Sequence, residues 1–230
     1  MRRPLALLGL VCLTLTGCDS GTPAQAPPTA DSEDQPPTIP VMGRERAILA
    51  FGDALLAGYG LNQGESYPTK LEAALRARGI NARIVNAGIS GETTEQGLAR
   101  LPALLDAQTT KSELVIVSLG GNDMLQGRPP AQTRANLEQI LRILKQRGIR
   151  VLLLGMMAAP DLRADYARDF NPIYPSLAHA YGARLVPFFL QPLAGKPDLV
   201  QPDRVHPTAL GVEEMVAATA NDVAEALPTP

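Results

Sequence analysis

The runs LVIVSL (114–119) and VLLLGM (151–156) are apolar at almost every position. A strand with one wet face alternates apolar and polar residues. A strand apolar on both sides needs both faces of its sheet covered, which is the habit of parallel sheets flanked by helices. Similar short runs recur along the chain, and strands are expected at Ala47–Phe51, Ala82–Asn86, Glu113–Leu119, Arg150–Leu154 and Arg184–Pro187. Between them the apolar spacing turns helical, at Tyr67–Arg78, Thr94–Asp106, Ala131–Arg147 and Asp165–Tyr181, with a last helix over Thr208–Ala226. Gly79 and Gly148 stand where helices should end. This alternation predicts a three-layer α/β/α sandwich around a mainly parallel five-stranded sheet. Ligands of such sheets bind beyond the carboxyl ends of the strands, so the loops that follow strands are where function is to be sought.

The chain has 230 residues, more than these elements need, and the surplus is N-terminal. Arg2 and Arg3 precede an apolar run from Leu5 to Leu15, short for a membrane span but suited to a signal peptide. The run ends in Leu15-Thr16-Gly17-Cys18, which resembles the lipobox of bacterial lipoproteins. Residues 1–17 are therefore expected to be a lipoprotein signal peptide, with Cys18 the lipidated first residue of the mature chain. Cys12, the other cysteine, lies inside the signal, so the mature chain would hold neither an internal disulfide nor a cysteine-based metal site. The stretch from Asp19 to Met42 is rich in Pro, Thr, Ser and Gln and too poor in large apolar residues to order itself. Residues 18–43 thus read as a tether with a coil dimension of about 25–30 Å, and 44–230 as one domain. The expected location is the bacterial cell envelope, membrane-anchored and facing the periplasm or surface.

Charge and composition argue against nucleic acid as a partner. The formal net charge is −2, aromatics make up 4% of residues, and Trp is absent, so neither a basic footprint nor a stacking platform is supplied.

Four loops carry the unusual residues. In ILAFGDALLAGYG (48–60) an apolar run breaks at Gly52-Asp53 into a small-residue turn that presents Ala54. NAGISGETT follows the second strand with Gly88 and Gly91, where backbone can approach a ligand unobstructed. LGGNDML follows the third strand and adds the amide of Asn122. DRVHPTALG sets Asp203 three residues before His206; such a carboxylate can hold one ring nitrogen from a tight turn and leave the other free as a general base. The second histidine, His179, falls in an amphipathic helix and reads as a surface or boundary residue.

Together and in this order the four loops resemble the blocks of the SGNH (GDSL-type) hydrolases. ISGETTEQGLARLPALL (89–105) and LGGNDMLQG (119–127) are similar to the thioesterase I, arylesterase and lysophospholipase branch of that family. The resemblance implies the family's flavodoxin-like fold and acyl-enzyme chemistry on carboxylic esters or thioesters, without metal or organic cofactor. It implies that His206 is the general base, that Asp203 orients it, and that the oxyanion hole combines the backbone N–H of residue 54, that of Gly88 and the side-chain amide of Asn122.

The chain departs from that pattern at one residue: Ala54 stands where the family has the serine nucleophile. A methyl group cannot attack a carbonyl, so no acyl-enzyme can form through it. Ser66, Ser90 and Ser118 read as a helix cap, loop structure and a buried strand residue, not as substitutes. The expectation is a scaffold that binds small esters or acyl products and is catalytically dead or severely impaired. The intact set of partners favours a hydrolase disabled at this position over a non-catalytic acyl- or ester-binding envelope lipoprotein, the alternative reading. Substrate choice is expected to lie in GMMAAPDLRADYARDF (155–170), where Met156, Met157 and Ala158 either line an acyl groove or belong to the core, Pro160 is a candidate substrate-binding residue, and 160–164 resembles the family's substrate loop. The protein is expected to be a monomer.

Overall fold

The first three strands place their ends side by side. β1 (Arg46–Gly52) is flanked by β2 (Ala82–Gly88) and β3 (Leu114–Ser118), with Gly52 level with Gly88 on one side and Ser118 on the other. β4 (Arg150–Leu154) and β5 (Arg184–Val186) complete the order β2-β1-β3-β4-β5, every pair parallel. The five-stranded sheet expected from the sequence is thus present and parallel throughout. The structure is a computed structural model describing residues 41–159 and 162–229. The signal sequence 1–17, Cys18, residues 18–40 of the expected tether and Pro160 lie outside the described residues.

β3 is buried along its whole length, as its unbroken apolar run requires, whereas the edge strand β2 exposes Arg83, Val85 and Asn86. Eight α-helices are present among the described residues: α1 (Ala54–Ala57), α2 (Tyr67–Ala77), α3 (Thr94–Asp106), α4 (Gly121–Leu125), α5 (Pro130–Gln146), α6 (Ala164–Phe170), α7 (Ile173–Tyr181) and α8 (Ala209–Ala226). They pack in two groups, α2 with α8 and α3 with α5 and α7. The first group is joined by the buried pair of Tyr67 and Thr219 hydroxyls, 2.7 Å apart. Burying such hydroxyls is tolerable because both are satisfied, Tyr67 by Thr219 and Thr219 by donating on to the Met215 carbonyl at 2.7 Å.

α3 starts at Thr94 because Thr93 and Gln96 form a reciprocal capping box. The single helix expected over Asp165–Tyr181 is instead two, broken at Asn171-Pro172. Proline has no N–H to continue the ladder, and the Asn171 carboxamide turns aside to accept from the Ala158 N–H at 2.8 Å. Ser66 occupies the N-cap position of α2 without capping it; its hydroxyl pairs with that of Thr69 instead, at 2.9 Å. Among the described residues, no helix is long and apolar enough to cross a membrane.

Candidate active site

In the order β2-β1-β3-β4-β5 the connections leaving β1 and β3 diverge, and the crevice between their carboxyl ends is the usual ligand position. The loop after β1 enters it first. Asp53 caps α1, its carboxylate accepting from the Leu55 N–H at 3.1 Å while its carbonyl accepts from Leu56 and Ala57. Gly52 allows the entry: a side chain there would overlap the Ser118 carbonyl. The turn buries Ala54, whose own N–H meets no acceptor among the described residues. Asp53 is itself 3% exposed, and this burial raises its carboxyl from the ordinary 3.8 to about 7, although the Leu55 N–H and the charge of His206 pull the other way.

The second loop does not use Gly88 as expected. Its N–H donates to the Asn86 side chain at 2.9 Å and is already engaged. Glycine is required at 88 for close approach, because a Cβ would overlap the backbone of Ala57 and crowd the Asp53 carbonyl. Two N–H groups of this loop, those of Ser90 and Gly91, are left without an acceptor among the described residues; both residues are exposed, and Gly91 sits at φ 79°, where glycine is at ease. Glu92, next in the chain, is buried and held by both arms of Arg100, at 2.5 and 2.6 Å. Arg100 also donates to the Ala87 carbonyl at 2.7 Å and lies over the Phe51 ring, 4.4 Å from its centroid. One guanidinium therefore ties the ends of β1 and β2 to the second loop. Neither residue stands out in sequence, since an acidic and a basic residue eight apart are commonly two surface charges.

From the third loop, Asn122 donates to the Glu92 carbonyl at 3.0 Å and to the Asp53 carboxylate at 3.3 Å, linking three loops through one amide. Asp123 turns inward and anchors α3 by accepting from the Thr94 N–H at 2.8 Å and its hydroxyl at 2.5 Å. Ser118, fully buried at the end of β3, offers no nucleophile to this crevice.

Beyond β5 the chain makes two short 3-10 turns, Gln191–Leu193 and Pro197–Leu199, before reaching Asp203 and His206. The imidazole Nδ1 lies 2.7 Å from an Asp203 carboxylate oxygen, and the other oxygen accepts from the N–H groups of Val205 and His206. Those bonds, the His206 N–H foremost and then its ring, hold the Asp203 carboxyl down to about 2, so it is ionised at any pH near neutral. Arg204, at φ 62°, makes the left-handed step that lets the carboxylate fold back on its own segment. Tyr59, from the turn after α1, sets its ring against His206 with centroids 4.5 Å apart.

The fourth strand's loop is only partly as expected. Met156 is 3% exposed and belongs to the core, because it directly follows the buried end of β4. Met157, one residue on, is exposed. With Tyr59, Ile89, Leu125 and Leu210 it makes five exposed large apolar side chains in segments at this edge of the sheet; Met42 and Val85, also exposed, lie elsewhere. His179 is exposed on α7, far in sequence from every loop of the site. Two surface hollows of about 380 and 400 Å³ involve residues such as Lys145, Arg150 and Arg184, and Asp106, Lys111 and Arg147. They lie at the amino ends of the strands and share no residue with the crevice.

The arrangement holds an imidazole paired with a carboxylate and several hydrogen-bond donors in neighbouring loops, and comparisons with known proteins identify the family it belongs to. The model of the GDSL-like lipase/acylhydrolase family matches residues 50–213. An arylesterase of Vibrio mimicus is 39% identical over 160 residues, which is 70% of this chain and 79% of that protein. The thioesterase 1/protease 1/lysophospholipase L1 of Escherichia coli K12 is 39% identical over 160 residues, 70% of this chain and 74% of that one. Among solved structures, AlinE4, an SGNH-hydrolase family esterase, is 61% identical, with a TM-score of 0.69 over 82% of this chain and 100% of that one. Its Ser-to-Ala mutant matches over the same spans at 62% identity and the same TM-score.

Proposed function

The chain belongs to the GDSL-like lipase/acylhydrolase family, and from that premise we propose that its site is that of a carboxylic ester or thioester hydrolase complete in everything but the nucleophile. The observation that carries this reading is the His206–Asp203 pair, joined at 2.7 Å, in a site whose capped, donor-bearing turn presents a methyl group at residue 54. With serine at 54, the hydroxyl oxygen would attack the substrate carbonyl while His206 Nε2 takes its proton. Asp203, bonded to Nδ1, keeps the ring in the tautomer that leaves Nε2 free and stabilises the imidazolium. The N–H groups of residues 54 and 91 and the Asn122 amide are the donors for the charge that grows on the carbonyl oxygen. The longer of the two Asn122 bonds, that to Asp53, is the one a substrate oxygen can share. Such preorganised donors are worth about 3–4 kcal/mol each in a water-poor site. His206 then returns the proton to the leaving alcohol or thiol, and water cleaves the acyl-enzyme by the same route in reverse. None of these steps calls for a metal or an organic cofactor.

With Ala54 the covalent route is closed. Loss of a triad serine lowers turnover by about six orders of magnitude, while donors and binding retain about 10³–10⁴ over water. The chain as it stands therefore binds esters or acyl products and barely cleaves them. The five exposed apolar side chains around the crevice suit an acyl or aryl group. The signal and lipobox pattern would place the domain in the cell envelope, anchored through Cys18.

Hydrolysis of p-nitrophenyl butyrate by the chain and by its Ala54→Ser variant tests the reading. A gain of about 10⁶ in turnover with serine is expected. A folded serine variant without turnover on a broad ester panel, or rapid turnover by the alanine form, would overturn it.

A further inference from the structure

The general base comes to the site from the wrong side of the sheet. β5 is the edge strand farthest from β2, with β4 and β3 between it and β1, yet His206 must face the turn at the end of β1. The Asp203–His206 pair cannot bring it there, because every Asp203 bond is to its own segment, to Val205 and His206. That pair would look the same wherever the segment lay.

One residue links the two segments. The Gln201 N–H donates to the His206 carbonyl at 2.7 Å. Its side-chain amide donates to the Pro207 carbonyl at 2.8 Å and, across to the first loop, to the Tyr59 carbonyl at 2.8 Å. Tyr59 in turn donates its N–H to the Ala54 carbonyl at 3.3 Å and lays its ring on the imidazole, with centroids 4.5 Å apart and planes at 39°. Gly60 leaves the room this needs, since a side chain there would overlap the Gln201 carboxamide. A short chain of contacts therefore runs from residue 54 through Tyr59 and Gln201 to both flanks of the base.

We propose that Gln201 and Tyr59 are positioning residues that set the distance and tilt of the His206 ring relative to residue 54, Gln201 by pinning the two loops together and Tyr59 by packing on the imidazole. This rests on the ester hydrolase reading of the site. It also explains how a base delivered by a long excursion beyond β5 keeps the placement acyl transfer needs, where misplacement of about 1 Å costs about a hundredfold.

The chain has two histidines, so the test can be read directly on the alanine protein. In imidazole proton–carbon spectra, the Tyr59 ring 4.5 Å away is expected to displace the His206 signals, and His179, exposed on α7, serves as the internal control. In Gln201→Ala, which leaves the tyrosine in place, the His206 signals are expected to move toward their positions in Tyr59→Leu, with His179 unmoved. Gln201→Glu, which keeps the side chain's length and removes its N–H donors, should do the same and stands in if the alanine variant fails to fold. His206 signals unchanged by folded Gln201→Ala or Gln201→Glu overturn the proposal. In the Ala54→Ser background, Gln201→Ala and Tyr59→Leu should lower kcat about 10- to 100-fold with KM little altered; an effect confined to KM also overturns it. Failure of the hydrolase reading appears separately, as absent turnover in Ala54→Ser itself while the spectral result stands.

Discussion

Replacing Asp53 by asparagine should make the protein more stable near neutral pH and slightly less stable in mild acid. Burial raises the Asp53 carboxyl from 3.8 to about 7. Between those values the folded chain holds a proton that the unfolded chain has released. Stability therefore falls as pH rises through this window and levels off above about 7. At about 1.4 kcal/mol per pH unit the whole effect is about 4 kcal/mol. Asparagine is neutral throughout and avoids it. It also keeps the oxygen that accepts from Leu55 at 3.1 Å, and it caps a helix as well as aspartate does. Its new N–H₂ would face the Asn122 amide across 3.3 Å, donor to donor, at a cost of about 1 kcal/mol. The balance is a gain of about 3 kcal/mol at about pH 8 and a loss of about 1 kcal/mol at about pH 4. Urea unfolding of both proteins at the two pH values, followed by far-ultraviolet circular dichroism, measures it. Stabilities that run parallel with pH would refute the reasoning, because they would mean that Asp53 is ionised in the fold at the same pH as in the unfolded chain.

Three further perturbations address other parts of the site. Arg100→Met leaves Glu92, 4% exposed, without its cation and should cost about 3–5 kcal/mol in urea unfolding; a change below about 1 kcal/mol would contradict the role given to the pair. In the Ala54→Ser form, Asp203→Asn should cut turnover about 10⁴-fold by releasing the imidazole tautomer, with the melting temperature little changed because the side chain is largely at the surface. Gly120→Ala puts a methyl group at φ 112°, against the buried Tyr174 hydroxyl that donates to the Leu119 carbonyl at 2.9 Å. It should cost about 2–4 kcal/mol, and Tyr174→Phe in the same chain should recover part of the loss if the overlap is its source.

Features governed by neighbours in the chain were legible from sequence. β4 runs over Arg150–Leu154 and α3 over Thr94–Asp106 as expected, the first because both its faces needed cover and the second because its apolar residues recur at helical spacing. The Asp203–His206 contact was legible for the same reason, a carboxylate and an imidazole three residues apart being within reach across a single turn. Met156 was not, since a one-residue step along a strand end separates core from surface and composition does not reveal the phase. Neither was the break at Asn171-Pro172, where the side chain that ends α6 does so by bonding a loop thirteen residues upstream.

The sequence by itself determined the layered α/β architecture, the order of the four loops and the alanine at residue 54, because each rests on local periodicity or on the identity of one side chain. Tertiary structure alone decided that Gly88 is a packing glycine whose N–H is engaged and that the Gly91 N–H is not. It alone decided that Arg100 and Glu92 join two strand ends, that Asp53 is buried enough to hold a proton near neutral pH, and that Gln201 joins the His206 segment to the first turn. These depend on the strand order β2-β1-β3-β4-β5, which brings together segments far apart in the chain. Burial and hydrogen-bond partners are properties of that assembly, and no single stretch of residues carries them.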